Sequence, residues 1–385
     1  MPVLRVDNVG AAGFRPDVEY WQLDANAWTF LRDVRLGENS IRPPYGTAPL
    51  YQYFDQELNE VILGVFSHNS IGAWWQIFCT QRRVFVSRGR ELIDITPTGY
   101  TFSANLEDRW QATSFNGYLL LNNGVDEPHY WPIESAEEET PRLVRLSEYP
   151  GSSPWPLGQS CKSLESFNSS LFAMNISNSS GQFPFLVLFS DFAEPGTLPQ
   201  AWEPRPDNSA GRRDLADGQD EIVGGKAFKD LLLIRKRTSV YLFRYIGGQF
   251  VYQRQVISEE TSCMNKFCVA NTDAFQVAVG RNDIYITEGG THRSVVKNKT
   301  KNWFFKNMNE EALATSFVLF DSTANEVWFF TSHGESRFCN VALIWNYLED
   351  TFTTKTCQDY IAGTLGEGIL EEGFLAWEDV EGVWE

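Results

Sequence analysis

Residues 183–253 begin with FPFLVLFSDFAEPGTLPQAW and, after a polar passage rich in Gly and Asp, end with KAFKDLLLIRKRTSVYLFRYIGGQFVYQ. Apolar runs of strand length lie at 185–189, 231–234, 240–243 and 250–252. The Gly247-Gly248 pair between the last two runs predicts a hairpin, because glycine readily adopts the positive φ that such short loops require. The last three runs, joined by short connections, predict an up-and-down antiparallel unit.

The same arrangement recurs along most of the chain. Groups of three or four predicted strands repeat about every 45 residues, which is the period of a β-propeller blade. The strands are predicted at 61–66, 75–78, 84–86, 92–95, 110–115, 118–121, 129–133, 143–146, 163–167, 171–176, 185–189, 231–234, 240–243, 250–252, 267–270, 275–279, 284–287, 292–297, 313–320, 326–331, 341–345 and 351–355. Several, such as Val327-Trp328-Phe329-Phe330, are apolar on both faces, which indicates strands held between neighbouring sheets.

The predicted fold is therefore all-β: a β-propeller of six or seven four-stranded antiparallel blades. We predict an irregular N-terminal arm at 1–27 and the propeller domain at 28–385. Segments left over near 28–36 and 360–377 predict that paired terminal strands close the ring, which would leave no open sheet edge. The same segments could instead form a seventh blade. Only 309–314 has a helical pattern.

Composition and charge argue against several classes of protein. The 385 residues include 50 acidic and 32 basic side chains, and the formal charge of −18 disfavours non-specific binding to nucleic acid. The six scattered cysteines predict buried free thiols of a protein made in reducing cytosol, rather than disulfides or a zinc site. No signal peptide is recognisable, and no apolar stretch approaches the roughly 18 residues that indicate a membrane span.

The sequence carries little catalytic signal. The four histidines, His68, His129, His292 and His333, are widely separated, lie in or next to predicted turns and belong to no metal-binding motif, so exposed turn positions are expected for them. No GxSxG, phosphate-binding loop or dinucleotide fingerprint occurs, and Gly224-Gly225-Lys226 and Gly289-Gly290 are interpreted as hairpin turns. We therefore predict no catalytic residue, no cofactor site and no metal ligand.

Two features keep a carbohydrate-active propeller open as an alternative. Glycosidases use paired carboxylates, and acidic residues are dense around the loop that follows residue 190: Asp191, Glu194, Asp214, Asp217, Asp220 and Glu221. Tryptophans could line a sugar site, and the candidates are Trp74, Trp75, Trp202, Trp377 and Trp384. Solvated loop charges and packing between blades are the more common explanations for such residues.

Several short strings occur in an order that is similar to that of a known family. They are Trp28 with Asp33-Val34-Arg35, FNGYLLLNNGVDEP at 115–128, LFSD at 188–191 leading to Pro199 and Trp202, DLLLI at 230–234 with SVY at 239–241 and YIGG at 245–248, and GRNDIYITEG at 280–289. On physical grounds the Asn123-Gly124 pair predicts a tight turn with positive φ. Together the strings resemble the β-propeller proteins that close the tails of short-tailed bacteriophages, called nozzle, hub or packaged-DNA stabilisation proteins. The resemblance weakens after about residue 300.

The resemblance implies a structural, non-enzymatic protein of the virion tail, made in the host cytoplasm. It would form a homo-oligomeric ring, with a hexamer favoured, that closes the DNA exit channel and retains the packaged DNA. Tail adaptor and needle or fibre proteins would be its partners, DNA would pass without sequence-specific binding, and no membrane would be involved. The alternatives are a carbohydrate-binding or glycan-hydrolysing β-propeller of a tail fibre, and a scaffold propeller that forms no ring.

Overall fold

The computed structural model describes residues 8–37, 40–44, 60–70, 73–88, 91–132, 141–248, 250–259, 261, 263–288 and 290–364. These residues form six four-stranded antiparallel sheets, each built from strands that are consecutive in the chain. The first strands of the six sheets surround a common axis. The predicted all-β propeller is confirmed, with six blades.

Four short strands precede the blades: β1 (Gly13–Phe14) pairs with β2 (Ala27–Trp28), and β3 (Arg35–Gly37) pairs with β4 (Ser40–Arg42). Blades 1 to 3 contain β5 (Ile62–Ser70), β6 (Ala73–Thr80), β7 (Val84–Arg88) and β8 (Glu91–Asp94); β9 (Gln111–Phe115), β10 (Tyr118–Asn122), β11 (His129–Trp131) and β12 (Val144–Arg145); β13 (Ser160–Phe167), β14 (Ser170–Asn178), β15 (Gly181–Phe189) and β16 (Gly211–Asp214).

Blades 4 to 6 contain β17 (Ile222–Phe228), β18 (Leu231–Lys236), β19 (Val240–Tyr245) and β20 (Tyr252–Ser258); β21 (Val269–Asn271), β22 (Gln276–Val279), β23 (Ile284–Glu288) and β24 (Thr291–Ser294); β25 (Phe317–Asp321), β26 (Glu326–Thr331), β27 (Cys339–Asn346) and β28 (Thr351–Tyr360). The helical elements of the described residues are α1 (Lys301–Lys306) and two 3-10 turns, Leu146–Glu148 and Glu310–Thr315. None of these helices is long and apolar enough to cross a membrane.

Strand β18 is apolar on both faces, and both faces are covered in the structure. All six residues of β18 are buried. Leu232 and Ile234 pack in a core cluster shared with blade 3, whereas Leu231 and Leu233 pack in a second cluster with residues of β19. Because both faces are covered, the strand needs apolar side chains at successive positions rather than at alternate ones.

The N-terminal segment is joined to the outer strand of blade 6. The Asp33 amide donates a hydrogen bond to the carbonyl of Thr354 at 2.7 Å, and the Thr354 hydroxyl donates to the carbonyl of Leu31 at 2.5 Å. The Asp33 carboxylate accepts from the amide of Thr356 at 2.7 Å. The two ends of the described chain are therefore held together by individual hydrogen bonds along β28. Among the described residues no terminal strand pairs with a blade, so the predicted closure by paired terminal strands is not found there. The predicted strand at 373–377 lies outside the described residues.

After Tyr360 the chain turns towards the axis and joins the last blade to the first two. Ile361 packs against the core cluster of blades 1 and 2, and its carbonyl accepts a hydrogen bond from Arg109 Nη1. Gly363 lies so close to blade 6 that a Cβ there would be 3.1 Å from the Phe317 ring. The segment 361–363 thus closes the propeller between blades 6 and 1 by packing.

Two strands of the polar passage before residue 229 were not predicted from the sequence. β16 is a short outer strand rich in arginine, and β17 is the inner strand of blade 4. The predicted turn at 224–226 is wrong, because these residues lie inside β17. At Gly224 a Cβ would be 2.9 Å from the Cβ of Lys266, so a small residue is needed where inner strands approach each other. The predicted helical turn at 309–314 and the turn at 247–248, where both glycines have a φ of 70°, are confirmed.

Replacing Gly211 by alanine should lower the free energy of unfolding by about 1–3 kcal/mol, the usual cost of overpacking a core. Gly211 pairs with Phe189 across blade 3, and a Cβ at Gly211 would lie 2.2 Å from Cζ of that ring. The exposed neighbour Arg212 provides the control, because Arg212→Ala removes no buried contact. Equal urea midpoints for the two variants would contradict this account of the β15–β16 contact.

Candidate functional site

The four histidines lie apart and inside the molecule. His68 and His129 are buried in β5 and β11, and His292 and His333 are half-buried. The expectation of exposed turn positions is therefore wrong. Burial lowers the pKa of all four imidazoles, to about 4 for His292, where Arg235 adds to the effect, and for His333. Among the described residues, no group of three or more His, Cys, Asp or Glu side chains is placed to hold a metal ion.

All six cysteines are free and buried, so the prediction of buried free thiols is confirmed. Burial raises the pKa of every one of these thiols, to about 12 at Cys161, Cys339 and Cys357 and to about 11 at Cys263. A thiol that stays protonated and is shielded from solvent reacts slowly, because the thiolate is the nucleophile. The cysteines therefore belong to the packed interior.

A thiol titration should give less than one reactive group per native chain at about pH 8, because each thiol is both buried and protonated. After denaturation in guanidinium chloride, six thiols should react. The native and denatured measurements, made on the same sample with an aromatic disulfide reagent, form their own control. Rapid reaction of two or more native thiols would show that a blade opens more easily than its packing indicates.

The acidic residues that follow Phe189 act mainly as partners of backbone amides and cations. Asp220 forms an ion pair of 3.0 Å with the buried Lys236, and Asp217 forms one of 3.1 Å with Arg254. The Asp191 carboxylate accepts hydrogen bonds from two loop amides, at 2.8 and 2.9 Å. These contacts fasten the loops of blades 3 and 4, and they account for part of the acidic density without a catalytic pair.

The tryptophans proposed for a sugar site mostly serve packing where they are described. Trp75 contacts Trp131 edge-to-face with ring centroids 5.2 Å apart, and Trp202 contacts Trp155 in the same way at 4.6 Å. Trp202 is only 4% exposed. Of the remaining candidates, Trp74 is half-buried in β6, and Trp377 and Trp384 lie outside the described residues. Trp75 and Trp202 therefore do not form an exposed sugar-binding platform.

The string at 123–128 forms a hydrogen-bonded loop between β10 and β11. Gly124 has a φ of 81°, which confirms the predicted turn. The Asp126 carboxylate accepts from the amide of Ser103 at 2.7 Å, in the connection that precedes blade 2. The Glu127 carboxylate accepts from the amide of Gly158 at 3.1 Å, in the connection that follows it. The loop therefore ties both connections to blade 2 and has a structural role.

An exposed group of aromatic side chains lies on the N-terminal segment. Tyr20, Trp21 and Phe30 are 79%, 65% and 74% exposed, and we call them the N-terminal aromatic surface. The segment is fixed to the propeller because the Asp17 carboxylate accepts hydrogen bonds from two amides of α1, at 2.6 and 2.9 Å. From the sequence, an irregular arm was predicted at 1–27 and a terminal strand segment near 28–36, and exposed rings were not predicted in either. Aromatic content alone gave no signal for them, because exposed and buried rings look alike in a sequence this rich in Phe and Trp.

A second apolar surface lies at the junction of blades 3 and 4. Phe192, Tyr245, Ile246 and Phe250 are all exposed, and we call them the blade 4 surface. The rings of Phe192 and Tyr245 meet edge-to-face at 5.7 Å. The blade 4 surface belongs to different elements from the N-terminal aromatic surface, which is anchored to α1 between blades 5 and 6. The molecule thus presents two different apolar surfaces.

A cavity of about 190 Å³ lies on the propeller axis. The first strands of all six blades, or the residues next to them, contribute to its wall, together with Ala362 and Gly363. Its ionisable lining residues are three cations, Arg109, Lys226 and Lys266, and one acid, Glu165. The wall is therefore cationic, although the whole chain has a formal charge of −18.

Arg109 connects three blades at the wall of this cavity. Its side chain is buried, Nη2 donates to the carbonyl of Ser316 at 2.8 Å, and Nη1 donates to the carbonyl of Ile361. Its guanidinium carbon lies 4.2 Å from the centre of the Phe267 ring. Burial lowers the pKa of Arg109 to about 10, so the group remains charged at neutral pH.

Lys266 and Glu165 have pKa values that burial shifts in opposite directions. The ammonium group of Lys266 donates to the carbonyl of Lys162 at 2.8 Å, and burial lowers its pKa to about 7. The Glu165 carboxylate accepts from the amide of Ala227 at 3.1 Å, and burial raises its pKa despite the nearby charge of Lys226. Both shifts mean that the charged forms of these two side chains are poorly solvated there.

No protein-family model and no curated protein sequence matches the chain. Among solved structures, the chain is similar to one of the Mitotic Checkpoint Complex, with 13% identity, a TM-score of 0.42, and coverage of 83% of this chain and 88% of that one. It is similar to YCF48 from Cyanidioschyzon merolae, with 11% identity, a TM-score of 0.40, and coverage of 71% and 94%. For a humanized mutant of Chaetomium thermophilum Polycomb Repressive Complex 2, identity is 9%, the TM-score is 0.39, and coverage is 61% and 57%. The chain thus spans little more than half of that last structure.

Proposed function

We propose that this chain is a structural subunit of a short-tailed bacteriophage tail, a nozzle or hub that forms a ring around the DNA exit channel. The observation that carries the proposal is the N-terminal aromatic surface, in which Tyr20, Trp21 and Phe30 are each more than half exposed on an anchored segment. Apolar surface held in water is a free-energy cost that association removes. The surface is therefore best explained as a contact with a neighbouring subunit.

The presence of two different apolar surfaces supports a ring of identical copies. In a head-to-tail contact each copy uses one surface towards the next copy and the other towards the previous one, and such contacts close into a ring when the rotation allows. The N-terminal aromatic surface and the blade 4 surface provide such a pair. A two-fold dimer, by contrast, would use a single self-complementary surface.

The residues that carry the family resemblance support a scaffold role. Asp33 binds the outer strand of blade 6, Asp126 and Glu127 bind the connections around blade 2, and Asp191 fastens the loop that leads to Trp202. Each of these side chains is engaged in holding elements together. The net charge of −18 supports passage of DNA without binding, because an acidic surface repels phosphates.

The proposal is tested by measuring the mass of the purified full chain from nanomolar to micromolar concentration and by imaging it with electron microscopy. We expect ring-shaped particles with a mass that is a multiple of 43.9 kDa. Because neighbouring tail proteins could be required for closure, the same chain is also located by labelling in purified virions, where tail density is expected. A monomer at every concentration, together with absence from the virion, would refute the proposal. Glycan-array binding would instead favour the tail-fibre alternative.

A further inference from the structure

The cations of the axial cavity are held by uncharged groups rather than by carboxylates. Arg109 and Lys266 donate to the backbone carbonyls of Ser316, Ile361 and Lys162. Among the described residues, neither group nor Lys226 forms an ion pair with a carboxylate, although Asp108 acts on Lys266 and Glu165 on Lys226 at longer range. The Nε of Arg109 is buried and has no hydrogen-bond partner. A buried positive charge that is only partly compensated is unfavourable, so an added counter-charge at this wall would be stabilising.

The acid of the wall cannot serve as that counter-charge for all three cations. Glu165 is a single carboxylate, it already accepts a hydrogen bond from the amide of Ala227 at 3.1 Å, and its burial favours the neutral form. With Lys266 protonated, the lining carries a net charge of +2 when Glu165 is ionised and +3 when Glu165 is neutral. Each value falls by one when Lys266 loses its proton, so an anion that binds would also hold Lys266 in its protonated form. The excess positive charge matches a ligand with two negative charges.

We propose that the axial cavity is a binding site for a small oxyanion with two negative charges, held by Lys226, Lys266 and Arg109. The ligand class includes sulfate, phosphate and phosphate monoesters, and small dicarboxylates, since all offer oxygen acceptors to ammonium and guanidinium donors. The volume of about 190 Å³ allows such an ion with accompanying water. The site lies within one subunit, so the test of anion binding does not depend on whether the chain forms a ring.

The test measures the Tm of the full chain in millimolar sodium sulfate against sodium chloride at the same ionic strength. We expect sulfate to raise the Tm of the wild-type protein by about 3 °C, because a ligand that binds only the folded state stabilises it by mass action. Isothermal titration gives the dissociation constant directly. Sodium malonate in place of sulfate distinguishes a carboxylate ligand from a tetrahedral one, and specific binding of either supports the site.

Variants separate a site from the general stabilising effect of sulfate on folded proteins. Lys226→Met and Lys266→Met should each abolish the response, whereas Lys229→Met, at an exposed lysine after β17, should keep it. Glu165→Gln should bind about threefold to tenfold more tightly, because it removes a like charge. If Lys266→Met fails to fold, Lys226→Met and Glu165→Gln still decide the question. Equal responses of wild type and Lys226→Met to both anions would overturn the proposal.

Discussion

Replacing Asp220 by alanine is expected to lower the free energy of unfolding by about 3–5 kcal/mol, the usual cost of leaving one partner of a buried ion pair alone. The ammonium group of Lys236 lies 3.0 Å from Asp220 Oδ1, and the Lys236 side chain is 0% exposed. Once the carboxylate is removed, that charge has no other ion-pair partner among the described residues. This is among the largest single-residue effects that the fold predicts.

The surroundings of the pair explain why it cannot simply rearrange. Lys236 Nζ also donates to the carbonyls of Leu215 and Gly218, at 3.0 and 3.1 Å. Asp220 Oδ2 accepts from both the amide and the hydroxyl of Thr238, each at 2.8 Å. The loop between β16 and β17 is thereby fixed to the turn between β18 and β19, and both partners of the ion pair are held in place.

Urea denaturation of the wild type and three variants measures the effect. Asp230→Ala is the matched control, since this exposed carboxylate lies 3.8 Å from Arg244 and an exposed pair contributes only about 0–1 kcal/mol. The double variant Asp220→Ala with Lys236→Met should recover much of the loss, because no unpaired buried charge remains. If Asp220→Ala and Asp230→Ala destabilise equally, the pair does not contribute as described.

The pH dependence of the same variants provides a second readout. Burial alone would raise the pKa of Asp220, but hydrogen bonds from Lys236 and Thr238 outweigh it and hold that pKa below its usual value of 3.8. A lowered carboxylate pKa contributes stability that is present above the unfolded-state value and is lost as the pH falls through the folded-state value. The difference between wild type and Asp220→Ala should therefore be full at neutral pH and should shrink below about pH 4.

The parts of the fold that follow from apolar packing could be predicted from the sequence. β26 was predicted with its correct bounds, because Val327 and Phe329 pack towards one neighbouring cluster and Phe330 towards another. β17 was missed because the inner strand of this blade is not selected for apolar packing alone. It needs glycines where strands crowd the axis, and it places Lys226 in the cavity, so its sequence IVGGKAF lacks an apolar run. Local pattern cannot distinguish such a strand from a loop.

The candidate sites depend on contacts that no local pattern encodes. Arg109, Lys226 and Lys266 come from three blades and meet only when the ring closes, so no spacing in the sequence connects them. The burial of the cysteines, by contrast, could be predicted from their scatter and their type alone. The exposed aromatic residues were also beyond prediction, because in a chain with 28 Phe and 13 Trp an exposed ring resembles a core ring.

Removing the N-terminal aromatic surface is expected to convert the proposed ring into monomers. Trp21→Ala combined with Phe30→Ala deletes two large exposed side chains, and aromatic anchors at interfaces typically contribute about 2 kcal/mol or more each. Every contact in a ring uses this surface, so the loss of binding free energy occurs at each contact between subunits. Mass photometry measures the change. The control is Leu157→Ala, a residue that is 75% exposed in the connection to blade 3 and should leave assembly intact.

Changing the blade 4 surface should also convert the proposed ring into monomers. Mixing this variant with the N-terminal one tests whether the contact between copies is head-to-tail. Ile246→Asp combined with Phe250→Asp should also yield monomers, because a charge cannot be buried against an apolar partner surface without a large cost. Each variant then retains one intact surface, and the two retained surfaces differ. A head-to-tail contact requires one of each, so an equimolar mixture should form heterodimers of twice 43.9 kDa that cannot grow further. If the contact were instead two-fold through the N-terminal aromatic surface, the blade 4 variant would form dimers by itself. The equimolar mixture would then contain no heterodimers.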